Sequence, residues 1–567
     1  MMPLALALAA GVAGLAATKG RARLRLSRAK HGSLTGHVRW GQRIARQIAF
    51  YDYDDARFFA ADAAPADIAA RRRAGFERLS ALYATRFAKT VAATRDLREG
   101  LSDLQFTGRY RVPFQFSGKV REALATGAFY QSSSGVTVTD LDGNVFYDLA
   151  GSYGVNLFGH DFYKECIVEG AARVADLGPV LGTYHPVITA NVDRLRAISG
   201  MDEVSFHMSG TEAVMQAVRL ARYHTGRRRV VRFAGAYHGW WGDVQPGIGN
   251  PTPADNTLTL SEMSDRTLHV LATRKDIACV LVNPLQAMHP NKGAPSDGTL
   301  IDSSRSAHLD RAAYRDWLAK LRDVCTKAGV VLIFDEVFMG FRLARGGMAE
   351  AFGVRPDMVT YGKTLGGGLP VGVVCGRADL MKRFRPEQPA DICFARGTFN
   401  AHPYVMGAMD VFLERLDSAE VQAMYADVDA RWDARLARFN AAMAAADLPV
   451  RAAGMQTVWT ITYAVPSRYN WMLQYYARAE GLALSWVGTG RLIFSLNYDD
   501  AAFAEVVARF VRAAQACAAD GWWWTASGTT NKMLRRQVLK EALSRRLGRG
   551  PYPLPAGEGG SGAAAEG

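Results

Sequence analysis

The stretch TYGKTLGGGLP places Lys363 after Gly362 and ahead of three glycines, Gly366 to Gly368, while Asp335 closes the apolar run VVLIFDE 28 residues earlier. A lysine, glycines and a strand-end acid suggest first a nucleotide-binding loop. That loop is GxxxxGK[ST], in which glycines ahead of the lysine let successive backbone amides wrap phosphates and a later acid holds magnesium. Here the residue five before Gly362 is Asp357, the glycines trail the lysine, and the acid precedes it. The nucleotide reading fails.

A lysine amine can instead condense with an aldehyde. Pyridoxal 5'-phosphate needs such a lysine, together with an acid facing its pyridine nitrogen that keeps the ring able to accept electrons from a substrate carbanion. Asp335 and Lys363 have the right types for these two tasks. The cofactor's phosphate needs a seat of its own, and HMSGTEAVMQAVRL offers one: Ser209, Gly210 and Thr211 stand just ahead of a helical pattern, where free N–H groups and the helix dipole favour an anion. The same three residues also read as a plain helix N-cap.

These residues need a scaffold that brings them together. Between residues 200 and 410, the runs RVVRF, IACVLVNP, VVLIFDE, DMVTYGK and VGVVCG alternate with helical segments, and TEAVMQAVRLARYH puts Val214, Ala217, Val218 and Ala221 on one helical face. Runs apolar on both faces are what buried parallel strands require, so the region reads as an α/β domain. Asn283, Asp335 and Lys363 each stand at the end of such a run, and in α/β sheets the strand ends form the ligand crevice.

The remaining chain reads as smaller pieces. GVTVTDLDGNVFYDLAGSYG alternates on both sides of Asp142-Gly143 and predicts a β-hairpin. DIAARRRAGFERLSALYATRFAK has helical periodicity, with Phe76, Leu79, Leu82 and Tyr83 at helical spacing. Residues 415–515 read as helix, strand, strand and helix, and PLPAGEGGSGAAAEG at the end has a disordered composition. The expected organisation is a basic, mostly helical extension over 1–110, the first part of a small domain over 111–180, a large cofactor-binding domain over 181–414, a small α+β domain over 415–515, and a basic helix with a tail over 516–567.

Composition limits the function. The chain has 567 residues, 49% hydrophobic and 22% charged, which is ordinary for a globular protein. Its net charge of +14 lies at the ends: residues 1–50 hold nine Lys/Arg and no acid, residues 525–567 hold seven and three, and 52 basic face 51 acidic residues between them. Basic ends suit an acidic carrier protein or a membrane surface, or are solvated tails with no partner, and no nucleic-acid motif accompanies them. The apolar run before Lys19 lacks a basic flank on its N-terminal side and is shorter than the roughly 20 residues of a bilayer span, which suits peripheral contact of a cytoplasmic protein with a membrane. Six scattered cysteines, with no CxxC and no histidine at ligand spacing, read as reduced thiols, and no metal site is expected.

Five motifs, SGTEAVMQAVRLAR, FAGAYHGW, LIFDEVFMGFR, PDMVTYGKTLGGGLPVG and GTFNAHP, occur in the order found in class III pyridoxal-phosphate-dependent aminotransferases. Residues 111–515 most resemble the glutamate-1-semialdehyde aminomutase branch and the amine-transfer domains of polyketide assembly lines. The resemblance implies an aspartate-aminotransferase-like, fold-type-I enzyme, with a large mostly parallel sheet domain and a smaller α+β domain, acting as a homodimer with active sites at the subunit interface. It implies that Lys363 forms the Schiff base and later carries the substrate proton, that Asp335 faces the pyridine nitrogen, and that Ser209, Gly210 and Thr211 hold the phosphate. Thr398 reaches that phosphate from the neighbouring subunit; Tyr237 and Val337 cover the two ring faces; His238 and Gln286 lie against the cofactor; and Tyr153 and Arg342 face the substrate. For Arg342, a surface or interface salt bridge is an equal reading.

Departures from the family pattern bear on the reaction. Asn283 stands where glutamate is common, GPVLGTYHPVI carries bulky Tyr184 and His185 where aminomutases have a small-residue gating loop, His402 replaces an asparagine, and Asn497 replaces a histidine. They favour intermolecular transamination, from a small amino-acid donor to an aldehyde or ketone acceptor, over 2,1-aminomutase or other isomerase activity; the basic ends and the likeness to assembly-line domains suggest an acceptor on an acidic carrier protein or a lipid-like aldehyde near a membrane. A non-catalytic scaffold docking to a membrane or partner would need neither Lys363 nor Asp335.

Overall fold

Apolar runs without polar alternation become central strands because both of their faces are covered. The computed structural model describes residues 2–32, 34–109, 112–251, 255–289, 291, 303–485 and 490–548, so the tail expected to be disordered lies outside the described residues. The chain divides into two units. One comprises Met1–Ala45, Cys166–Ala294 and Asp310–Leu416; the other comprises Arg46–Glu165, Pro295–Leu309 and Asp417–Gly567.

The first unit is built on a seven-stranded sheet. Its spatial order is Glu203–His207, Gly372–Gly376, Met358–Gly362, Val331–Asp335, Ile277–Val282, Arg229–Phe233 and Thr257–Leu260. Four of the six pairings are parallel. VGVVCG, expected among the parallel strands, runs antiparallel to both of its neighbours. The reason is the short link: residues 363–371 hold only the 3-10 turn Lys363–Gly366, and a parallel return needs a crossover of a dozen or more residues. Two strands, Glu203–His207 and Thr257–Leu260, escaped the sequence reading because they are short edge strands that mix polar and apolar residues.

The helix Gly210–Thr225 covers the sheet with the face read from its spacing. Val214, Ala217, Val218 and Ala221 are buried in one cluster with Cys279, Leu281, Ile333, Met358 and Val374. The helix Met2–Ala29 is tied at its end, where Ser261 N–H donates to the Ala29 carbonyl at 2.9 Å. No helix among the described residues is long and apolar enough to cross a membrane.

In the second unit, Thr137–Asp140 and Val145–Asp148 form the expected hairpin, flanked by Tyr130–Ser134 and, in parallel, by Leu482–Ala483. A three-stranded sheet of Val450–Met455, Val458–Tyr463 and Arg491–Ile493 accompanies the helices Val428–Ala445 and Asp500–Ala519. The helix Ala66–Arg86 buries Phe76, Leu79 and Tyr83, but Leu82 is 38% exposed. Leu82 falls outside the inward stripe because Phe76, Leu79 and Tyr83 define that stripe and Leu82, one residue before Tyr83, is turned about 100° away from it.

One buried histidine of the edge strand gives this fold a pH dependence. His207 Nε2 lies 2.9 Å from Ser205 Oγ, and burial, helped by the Arg383 charge, pushes the imidazole down to about 4 from 6.5. The unfolded imidazole binds its proton below about pH 6.5 and the folded one only below about 4, so falling pH favours the unfolded chain across that window. Denaturant unfolding should show about 3 kcal/mol lost between those limits through this residue. His207→Asn should flatten the difference, and equal slopes for both proteins would refute it.

Candidate active site

Three neighbouring parallel strands deliver their ends to one place. Val282 pairs with Phe334 in register, and Asp335 with Thr360, so Asn283, Asp335 and Lys363 follow at adjacent strand ends. Asp335 is buried, and three groups hold its carboxylate. Oδ2 accepts from His238 Nδ1 at 2.7 Å, while Oδ1 accepts from Val337 N–H at 3.2 Å and from Thr360 Oγ1 at 3.3 Å.

His238 is almost wholly buried, and burial holds its pKa below the usual imidazole range despite the bond to Asp335, with Arg232 adding to the depression. A neutral imidazole facing a carboxylate carries its proton on Nδ1. Its Nε2 is buried with no hydrogen-bond partner among the described residues, and so is Gln286 Oε1, in the turn Pro284–Met288.

The turn before His238 is fixed from several sides. Arg232 donates to the Ala236 carbonyl and Asn283 Nδ2 donates to the Tyr237 carbonyl at 3.0 Å. Gly239 has φ +92°, and a Cβ there would fall 2.5 Å from Thr211 Oγ1, so the turn leans on the start of the helix Gly210–Thr225. Tyr237 keeps 57% of its surface exposed, and partial burial together with the Asp335 charge raises its pKa.

That helix start is shaped for close approach. Ser209 Oγ caps Glu212 N–H at 3.3 Å and the Ser209 carbonyl takes Ala213 N–H, which leaves the N–H groups of Gly210 and Thr211 outside the helical ladder. A Cβ on Gly210 would meet Val337 Cγ1 at 2.4 Å, and one on Gly372 would meet the Ser209 carbonyl at 1.9 Å. Val337 thus packs directly beneath the helix start, and it also comes within 3.2 Å of where a Gly362 Cβ would stand.

Lys363 has φ +46°, a left-handed conformation uncommon for a residue with a side chain and often found at functional sites. Burial lowers its pKa; Asp335 opposes that shift and Arg342 adds to it. Its Nζ lies 5.4 Å from the Phe338 ring centre, and the Arg342 guanidinium lies 5.9 Å from the same ring. Arg342 is only 1% exposed, which removes the reading of a surface salt bridge.

The structure therefore gathers Ser209, Gly210, Thr211, Tyr237, His238, Asp335, Val337 and Lys363 around one group of strand ends, with Gln286 and Arg342 buried in the same unit. Thr398 is exposed in the turn after the strand Gln388–Ile392 and is not part of this buried group. Tyr153 belongs to the other unit, in a left-handed turn with Ser152, and is 46% exposed. Phe338, Thr360 and Arg232 were missed. Phe338 stands inside the quoted LIFDEVFMGFR, but nothing in its type marked it, while Thr360 and Arg232 matter only through strand register and burial.

A buried amine of lowered pKa, an acid braced by a neutral histidine, and a helix start with free amides fit an aldehyde cofactor carrying a phosphate and a ring nitrogen. Comparison with known proteins agrees: residues 119–514 match the family Aminotransferase class-III. The chain belongs to the class-III aminotransferases. This class-III aminotransferase is a pyridoxal-phosphate-dependent enzyme of fold type I. It is 31% identical over 393 residues to the glutamate-1-semialdehyde 2,1-aminomutase of Geotalea daltonii, covering 65% of this chain and 85% of that one. A solved transaminase with PLP bound shares 26% identity at a TM-score of 0.59, covering 70% of this chain and 92% of that one. The fold is also that of a glutamate-1-semialdehyde aminomutase from Pseudomonas aeruginosa PAO1, with 19% identity, a TM-score of 0.63, and 79% and 98% coverage of the two chains.

Proposed function

We propose that this class-III aminotransferase moves an amino group from an amino-acid donor to an aldehyde or ketone acceptor, with Lys363 as the residue that carries the proton. The observation that carries the reading is the convergence of Lys363, with its pKa lowered by burial, on the strand ends where His238 braces Asp335.

When bound, pyridoxal phosphate supplies a carbonyl that condenses with amines and a ring that takes up the electrons left after a proton is removed. Lys363 Nζ would hold that carbonyl, since burial shifts the amine toward its neutral form, and the same amine would serve as base and acid for the substrate proton. Asp335 presents a carboxylate to the ring nitrogen, and His238, the Val337 N–H and Thr360 hold it there. The amides of Gly210 and Thr211, with Ser209, receive the phosphate. Tyr237 and Val337 would pack against the ring, and Gln286, with its unpartnered Oε1, would face a polar group on it. Arg342 fits a substrate carboxylate as a buried cation near Lys363.

Exposed Trp240, Phe394 and Phe399 support a homodimer in which Thr398 completes the partner's phosphate seat and Tyr153 contributes to the substrate side. The exposed bulk of Tyr184 supports transfer between two molecules over rearrangement of one. The basic ends support an acceptor presented on an acidic carrier protein or at a lipid surface.

The test is to mix the yellow holoenzyme with candidate amino donors. A productive donor alone should bleach the visible band and release one equivalent of its keto product, and sustained turnover should require a second carbonyl compound. Turnover on a single substrate without any acceptor would establish the aminomutase reading instead.

A further inference from the structure

The helix Asn531–Arg546, in the second unit, has no part in the catalytic reading, yet its two faces differ sharply. Its inward face is pinned. Glu541, 4% exposed, accepts from Arg57 Nη2 at 3.2 Å, Arg468 Nη1 at 2.9 Å and the Tyr51 hydroxyl at 3.1 Å, and Leu534 is buried beside it. Gln537 Nε2 adds a bond to the Ala61 carbonyl at 3.0 Å. The helix is a fixed element, not a loose end.

At about 100° per residue, the side opposite Leu534 and Glu541 collects Leu539, Leu543 and Leu547 with Lys532, Arg536 and Arg546. The three leucines, spaced by four, are 59%, 50% and 64% exposed. Leucines standing in water on a held helix, set among cations, form an amphipathic face that points outward. Glu541 is the helix's only acid, and it points inward, so the outward face has a single sign of charge.

We infer that this outward face docks the protein on an anionic membrane surface, its leucines entering the headgroup boundary and Lys532, Arg536 and Arg546 meeting lipid phosphates and carboxylates. A face of uniform charge offers no pattern by which one protein partner is told from another, whereas a sheet of anionic headgroups requires none. Residues 1–50, with nine basic residues and no acid, carry the same sign.

The six native cysteines are buried, so Leu543→Cys in the full-length holoenzyme takes a polarity-sensitive dye selectively. With vesicles of 70:30 phosphatidylcholine to phosphatidylserine, its emission should shift to the blue, with no shift on pure phosphatidylcholine. Lys532→Gln with Arg536→Gln should weaken that binding roughly thirty-fold, and Leu539→Asn with Leu547→Asn by about tenfold or more, while turnover of soluble substrates is unchanged. The inference is overturned by an absent shift on the anionic vesicles or by a shift that these substitutions leave intact. It is equally overturned if the dye responds to poly-L-glutamate but not to vesicles, which would make the partner an acidic protein, or if light scattering shows that the leucine variants dissociate an oligomer.

Discussion

Lys363→Ala is expected to lower steady-state transamination by about four orders of magnitude, since on the proposed reading it removes both the amine that would hold the cofactor and the group that would carry the substrate proton. The cofactor should remain bound without its covalent link. The amides of Gly210 and Thr211 and the Asp335 carboxylate are untouched by the change, and Asp335 keeps its bonds from His238, Val337 and Thr360. The variant is expected to stay folded, because Asp335 keeps the hydrogen bonds from His238, Val337 and Thr360 when the amine is removed. Rapid mixing with donor and a count of cofactor retained after dialysis measure the two effects separately. Steady-state turnover within tenfold of the parent would sink the assignment of Lys363.

Asp335→Asn should act differently, weakening cofactor binding and turnover together. An amide of the same shape preserves packing but removes the charge proposed to keep the ring nitrogen protonated, and the expected loss in kcat/KM is about two to four orders of magnitude. The amide also brings two donors to a position now surrounded by donors: the Val337 N–H and Thr360 on one oxygen, His238 on the other. His238 must then change tautomer or turn away, so the absorbance of the bound cofactor should acquire a different pH dependence. A variant with parental cofactor affinity and an unaltered pH profile would show that Asp335 has only a structural task. The pair of variants therefore distinguishes a lysine that acts in turnover from an acid that acts on the cofactor.

Much of this site was legible because its chemistry is local. Lys363 with its trailing glycines, Asp335 at the end of an apolar strand, and Ser209-Gly210-Thr211 before an amphipathic helix each declare a residue type and an element end within a few residues. What stayed hidden depends on residues distant in sequence. Thr360 touches Asp335 only because two strands pair in one register, and Phe338 comes near both Lys363 and Arg342 only through the tertiary fold. Arg342 could not be placed from its motif, since a solvated and a buried arginine look alike in sequence. Its burial excludes a solvated surface position.

The sequence by itself determined the α/β class and the family, and it singled out the candidate residues, because each rests on hydrophobic period and on side-chain type at an element boundary. The tertiary structure alone decided the reversed direction of Gly372–Gly376, where a nine-residue link is too short for a crossover, and the electrostatic state of the site. The pKa values of Lys363 and His238 are set by burial and by charges that other strands and loops bring near, and no window along the chain contains those neighbours.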